Sequence, residues 1–296
     1  RHCVEFLGPV PLMTDPHYNR GIMAADNPFF HRGAIRRVED FVGREAEINQ
    51  VLGLLRNGQS VSLIGPRRIG KSSLLLHLCH AAVRSPHSLD PPHALFVMLD
   101  CQEMAGSPPE EVYELMLDGL LHAAAAAGLN VASAEQPGTY RALDRALQQV
   151  YQQRVSVVVL LDEFELLAAN QHLTPYFFAR LRGLTTKYGL AYLTASQRPL
   201  FDITAEEEVL SSPFFNIFVT VPLGLFSEFE ARELFQQRLS RTSVSFSDEL
   251  SAYLLWLVGN HPFFLHIAGY HAVQALIASV ARPLAQPVEQ ALDGLD

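Results

Sequence analysis

The stretch "SLIGPRRIGKSSLLLHL", residues 62–78, joins a short apolar run to an apolar helix through a turn holding two glycines. The run before Gly65 predicts a buried strand, and the leucines after Lys71 predict a helix reaching about Val83. Between them, Gly65-Pro66-Arg67-Arg68-Ile69-Gly70-Lys71-Ser72 fits G-x-x-x-x-G-K-[ST], and Ser73 follows it. Glycines let such a loop turn its amides inward around a phosphate, while the helix start adds the positive end of its dipole. In that arrangement Lys71 bridges the β- and γ-phosphates and the Ser72 hydroxyl ligates Mg²⁺. Only Lys71 and Lys187 are lysines among the 22 basic residues. A chain that otherwise chooses arginine keeps a lysine where a compact ammonium fits a phosphate cradle.

About 90 residues further on, "VVVLLDEFE" (157–165) supplies a second signal. Its β-branched run predicts a buried strand ending in Asp162, a carboxylate placed to hold Mg²⁺ through a bound water. Glu163, next in sequence, is the candidate base that orients an attacking water. "TASQRPL" (194–200) ends another predicted strand. Ser196 or Gln197 could contact the γ-phosphate there, and Arg198 could report its presence. Arg180 and Arg182, on the preceding predicted helix, read first as solvated residues and second as fingers toward a neighbouring subunit.

Outward from these motifs, strands and helices alternate. "ALFVMLD" (94–100) and "FNIFVTV" (215–221) read as further strands, the latter opening at Asn216, with helices expected near 108–127, 138–153 and 172–188. That alternation implies a mostly parallel sheet covered on both faces. After Pro222 the pattern turns helical, and "SEFE" (227–230) matches a capping box. The expected division is an irregular arm over 1–30, a core over 31–222 and a small helical domain over 223–296. The 296 residues, 49% of them hydrophobic, suffice for a large core. No apolar run approaches the roughly 18 residues that span a bilayer, so no membrane partner is expected. Three scattered cysteines build neither a disulfide framework nor a zinc site, which fits a reducing, cytoplasmic setting. The net charge of −9 disfavours DNA as a partner. Twelve histidines include no H-E-x-x-H, so no metal beyond Mg²⁺ is expected. The chain opens on Arg1 rather than methionine, which suggests a segment of a longer protein.

"FVGRE", "GPRRIGKSSLL", "VVVLLDEFE", "TASQRPL", "SPFFNIF" and "GNHPFFL" occur in an order that resembles the STAND-type P-loop ATPases of the AAA+-related superclass, over residues 28–275. The resemblance implies an α/β P-loop NTPase fold: a parallel sheet in the order 5-1-4-3-2, sandwiched by helices and followed by a helical lid. It implies ATP or ADP as ligand, with the Gly43-Arg44-Glu45 turn against the adenine. Arg198 matches the sensor position. In "GNHP", Pro262 matches the lid element that touches nucleotide, although one residue more than usual separates it from Gly259, so His261 and Pro262 both stay open for that contact. The expected activity is a slow, Mg²⁺-dependent ATPase that switches between resting and assembling states, with self-association or effector and sensor domains outside this segment. An AAA+-related loader or motor on DNA is the alternative, and a scaffold that binds nucleotide without turnover is a third reading.

Overall fold

The structure, a computed structural model, describes residues 27–29, 33–132, 136–202 and 213–281. The expected arm over 1–30 lies outside these residues except for Asn27–Phe29. Five parallel strands form one sheet: β1 (Ser60–Ile64), β2 (Ala94–Asp100), β3 (Ser156–Asp162), β4 (Ala191–Ser196) and β5 (Phe218–Pro222). Their order is β2-β3-β4-β1-β5, which is 5-1-4-3-2 read from the other edge. The helices of the sheet region are α1 (Glu45–Arg56), α2 (Lys71–Leu78), α3 (Ala81–Arg84), α4 (Pro109–Ala126), α5 (Tyr140–Gln152), α6 (Phe164–Ala168) and α7 (Pro175–Tyr188). Three more follow: α8 (Glu228–Leu239), α9 (Asp248–Val258) and α10 (Pro262–Ala281).

Strand period explains why β3 reads as an unbroken apolar run. Val157, Val159 and Leu161 face a core shared with α4, α5 and α7, while Val158 and Leu160 face a second core shared with α1 and α2. Both faces are covered, so no position is left for a polar residue. On the first face Tyr192 is fully buried and its hydroxyl donates to the Leu181 carbonyl at 3.0 Å. Phe214 and Phe215 pack against Phe178 on the same side.

Two expected elements differ. The helix from Lys71 stops at Leu78, and α3 is a separate turn. His80 between them is extended, its ring nitrogen lying 3.0 Å from the Arg36 carbonyl, and the Arg84 guanidinium bonds the carbonyls of Cys79 and Leu89. The Arg36 partner lies 44 residues away in sequence, and helical periodicity cannot register it. Asn216 belongs to a 3₁₀ turn over Pro213–Ile217, so β5 opens at Phe218 instead.

The three C-terminal helices enclose their own core, built on Leu234, Phe235, Leu265 and Val273. Phe29 and Val42, from before the sheet, belong to it as well. Phe29 is 1% exposed and lies against Phe235 and Phe246. The segment near residue 40 is tied to α8 by an ion cluster: Asp40 accepts from Arg238 at 2.9 Å and from Arg241 at 2.7 Å.

The expected capping box is present. Ser227 Oγ accepts from the Glu230 amide, and Glu230 Oε2 accepts from the Ser227 amide at 2.7 Å. The same carboxylate reaches across to accept from the Arg44 amide through Oε1, also at 2.7 Å. A Cβ at Gly43 would meet that oxygen at 2.7 Å, and Gly43 has φ +68, so glycine is required there. Burial opposes the charge on Glu230, but the amide bonds from Arg44 and Ser227 outweigh it and hold the carboxyl below its usual range. A depressed carboxyl pKa contributes stability that is present at neutral pH and lost as pH falls through the folded value. Glu230→Ala is therefore expected to lower the unfolding free energy at pH 7 by about 1–2 kcal/mol. In urea titrations at successive pH values, the gap to wild type narrows toward pH 4.

Candidate functional site

Parallel strands bring their carboxyl ends to one edge, and in open α/β sheets ligands bind there. Ile64 pairs with Ser196 and Leu161 with Thr194, so the turn after β1, the acidic end of β3 and the end of β4 share that edge. A cleft of about 540 Å³ opens beside it. This lies within the roughly 300–1,000 Å³ of small-molecule sites.

Arg67 through Ser73 line the cleft, opposite Asp162 and Glu163. The loop turns at Gly70, whose φ of +106 is open to glycine and strained for other residues, and α2 starts at the next residue. Gly65 and Pro66 stand outside the lining, but their carbonyls accept from Lys71 Nζ at 2.8 and 3.1 Å. Burial disfavours the Lys71 ammonium and lowers its pKa, against the pull of Glu165, Asp162 and Glu163. The ammonium is thus held at the loop by carbonyl oxygens, in the field of three carboxylates.

Desolvation raises the Asp162 pKa, while a hydrogen bond from the Ser72 side chain lowers it. The pair supplies two hard oxygens, which suits Mg²⁺; that ion keeps several waters and needs one or two protein ligands beside phosphate. No cluster of three or more metal-ligating side chains occurs among the described residues, so an all-protein metal cage is not built there. Glu163 has φ +49 and caps α6. Its carboxylate accepts from the Gln102 side chain, just beyond β2. Gln197 faces the cleft and donates to Glu165 at 3.0 Å. One oxygen of Glu165 is buried without a hydrogen-bond partner.

Other expected residues are placed differently. Arg44 lines the cleft, yet its guanidinium is taken up by Glu47 at 2.9 Å, the Gly224 carbonyl at 2.6 Å and the Ile69 carbonyl at 3.4 Å. It also lies over the Phe226 ring. Gly43 is outside the lining, behind Glu230. Arg198 is exposed and outside the cleft; its carbonyl accepts from Ser196 Oγ at 2.7 Å. Pro262 lines the cleft and His261 does not. Arg180 stacks on Tyr140 and Tyr176, and Arg182 is exposed on α7.

Sequence reasoning missed Gln102, Glu165 and the strap at Gly33–Ile35, where the Ile35 amide donates to Ser73 Oγ at 3.0 Å. It also missed Phe41, Val42, Leu234 and His266, which line the cleft as well. Phe41 and Val42 stand in "FVGRE" and Glu165 ends "VVVLLDEFE", but those motifs direct attention to other members, and no motif carries Gln102, the strap, Leu234 or His266. The one available signal was Glu165 itself, an acid at the buried start of a helix.

Because folding raises the Asp162 pKa, its ionised form opposes folding at neutral pH, and that opposition disappears as pH falls through the raised value. Asp162→Asn keeps an acceptor for Ser72 without the charge. In urea titration the Asn variant is expected to unfold at higher denaturant than wild type at pH 7, with the two midpoints converging at acid pH.

Solved structures share this architecture. The chain is similar to the Walker-type ATPase PABY2304 of Pyrococcus abyssi, with a TM-score of 0.66 and 18% identity over 82% of this chain and 71% of that one. It is similar to the ORC2 protein of Aeropyrum pernix, solved as ADPNP-ADP complexes, with a TM-score of 0.59 and 14% identity over 86% and 67%. Drosophila ORC bound to DNA gives 0.53 and 15% over 81% and 63%. These identities establish a shared fold and nothing further. No curated protein matches the sequence. The family model described as Novel STAND NTPase 2 matches residues 49–288, from α1 through the phosphate loop and the acidic strand end into the helices beyond β5. On that span the chain belongs to the novel STAND NTPase 2 family of P-loop NTPases.

Proposed function

We propose that the chain is an ATP-binding, slowly hydrolysing switch module whose nucleotide state sets the geometry between the sheet and the C-terminal helices. The observation that carries this reading is the single cleft lined by the phosphate loop, by Asp162 and Glu163, and by Phe226, Leu234 and Pro262 from beyond β5. A ligand in such a cleft touches both parts, so di- and triphosphate can favour different arrangements, by as much as their affinities for each differ. The division at residues 1–30, 31–222 and 223–296 and a cytoplasmic setting belong to the same proposal. Among the described residues no helix is long and apolar enough to cross a membrane.

In this reading the loop amides and Lys71 hold the phosphates, and Ser72 with Asp162 holds Mg²⁺. The ion, when bound, neutralises charge on the phosphate oxygens. Glu163 orients the attacking water, and Gln102 fixes its carboxylate. Phosphoryl transfer asks for positioning and charge neutralisation, and these groups supply both. Gln197 is better placed than Arg198 for a strand-end contact with the terminal phosphate, because it faces the cleft. The apolar end at Phe41, Val42 and Leu234 suits a base, and Arg44 shapes that end by holding the hinge at Gly224.

The DNA-loader alternative draws on the DNA-bound ORC structures of the same fold, and the net charge of −9 weighs against it. Salt-sensitive retention of DNA at physiological ionic strength would favour that alternative over the switch.

Lys71→Ala is expected to abolish retention of labelled ATP, and undiminished binding would overturn the reading. Glu163→Gln is expected to keep ATP binding and to slow phosphate release in a single turnover by about 10²–10⁴-fold. Equal, slow release from both proteins would make the chain a nucleotide-holding scaffold instead.

A further inference from the structure

Arg68 stands at φ +63, in the left-handed region that favours glycine, inside the phosphate loop. Its guanidinium carbon lies 4.2 Å from the ring centroid of Phe263, the second residue of α10. Both residues line the cleft with Lys71 and Ser72. A guanidinium stacked by its face keeps its N–H donors in the plane, free to address oxyanions at the edge. α10 is itself seated firmly: Leu265 is fully buried, and a Cβ at Gly269 would meet the Phe29 ring at 2.5 Å. A pull on the Phe263 ring is therefore transmitted to a packed helix.

We infer that Arg68 couples the phosphate chain of a nucleoside di- or triphosphate to the C-terminal helices, its edge on phosphate oxygen and its face on Phe263. The inference rests on the nucleotide reading above and adds the contact through which the bound phosphates act on α10. Arg68 and Phe263 then work as one unit, each useless to the ligand without the other. Lys71 Nζ donates instead to the carbonyls of Gly65 and Pro66, within the loop itself.

The test is a double-mutant cycle read by calorimetric titration with ATP and with ADP. Arg68→Lys keeps the charge and removes the flat face; Phe263→Leu keeps apolar bulk and removes the π system. Thermal melting of the nucleotide-free proteins checks that each variant is folded. Either substitution is expected to weaken nucleotide affinity by about two- to fivefold, the worth of an exposed cation–π contact. The double variant is expected to lose no more than the worse single one, and Phe263→Tyr to restore wild-type affinity. Losses that multiply in the double variant, or unchanged affinity in Phe263→Leu, would overturn the coupling while ATP binding by wild type stands. Absence of ATP binding by wild type, or full binding by Lys71→Ala, would overturn the nucleotide reading and the coupling together.

Discussion

Ile64 is flanked by Ser196 on one side and Pro222 on the other, all in parallel register. That pairing makes three strands end at one level, and the glycine-rich loop and Gln197 lie just past those ends, with Asp162 at the end of β3 on the same edge. The glycine-rich loop leaves β1, Gln197 leaves β4 and the segment toward the C-terminal helices leaves β5. Because β4 lies between β1 and β3, Asp162 and the loop stand two strands apart with Gln197 between them. An antiparallel pairing anywhere in this set would send one of these groups to the opposite edge.

The C-terminal helices are attached through segments that precede the sheet in sequence. Asp40 bonds Arg238 and Arg241, the Arg44 amide bonds Glu230, and Phe29 fills the core beneath α10. The Asp40–Arg238 pair is buried on both sides, and desolvation lowers the Arg238 pKa against the pull of Asp40. Such a pair contributes little net stability, yet leaving either charge alone is costly, so it selects one docking geometry over others. Arg44 plays a related part, pairing with Glu47 and joining the glycine-rich loop at Ile69 to the segment after β5 at Gly224 through their carbonyls. The cleft is consequently walled by groups fixed to one another, and a ligand between them meets a pre-formed shape.

The phosphate loop was legible because its chemistry is local. Gly70, Lys71 and Ser72 stand at one turn between a strand and a helix, and their spacing is itself the signal. Asp162 was legible for a similar reason, since a doubly buried strand must be apolar until it ends. The capping box at Ser227–Glu230 is also local and was read correctly, although the reach of Glu230 to Arg44 was not. Arg44 was expected at the adenine, whereas its donors go to Glu47 and to backbone carbonyls; an arginine in a motif does not disclose its acceptors. Arg198 occupies its expected place in the chain but points out of the cleft, and its neighbour Gln197 faces in. At the break after Leu78 the extended His80 meets the Arg36 carbonyl, which no window around the helix contains.

What the sequence by itself determined, then, is every feature whose cause lies within a few residues: strand period, loop glycines, helix caps and the acid at the end of a buried strand. Tertiary structure alone decided which carboxylates act on Lys71 through their field, that Gln102 bonds Glu163, and that Phe263 lies on Arg68. Those contacts join residues from separate elements, and their distances are set by how strands pair and helices dock. Hydrophobic patterning states that a face is buried; it does not state against what.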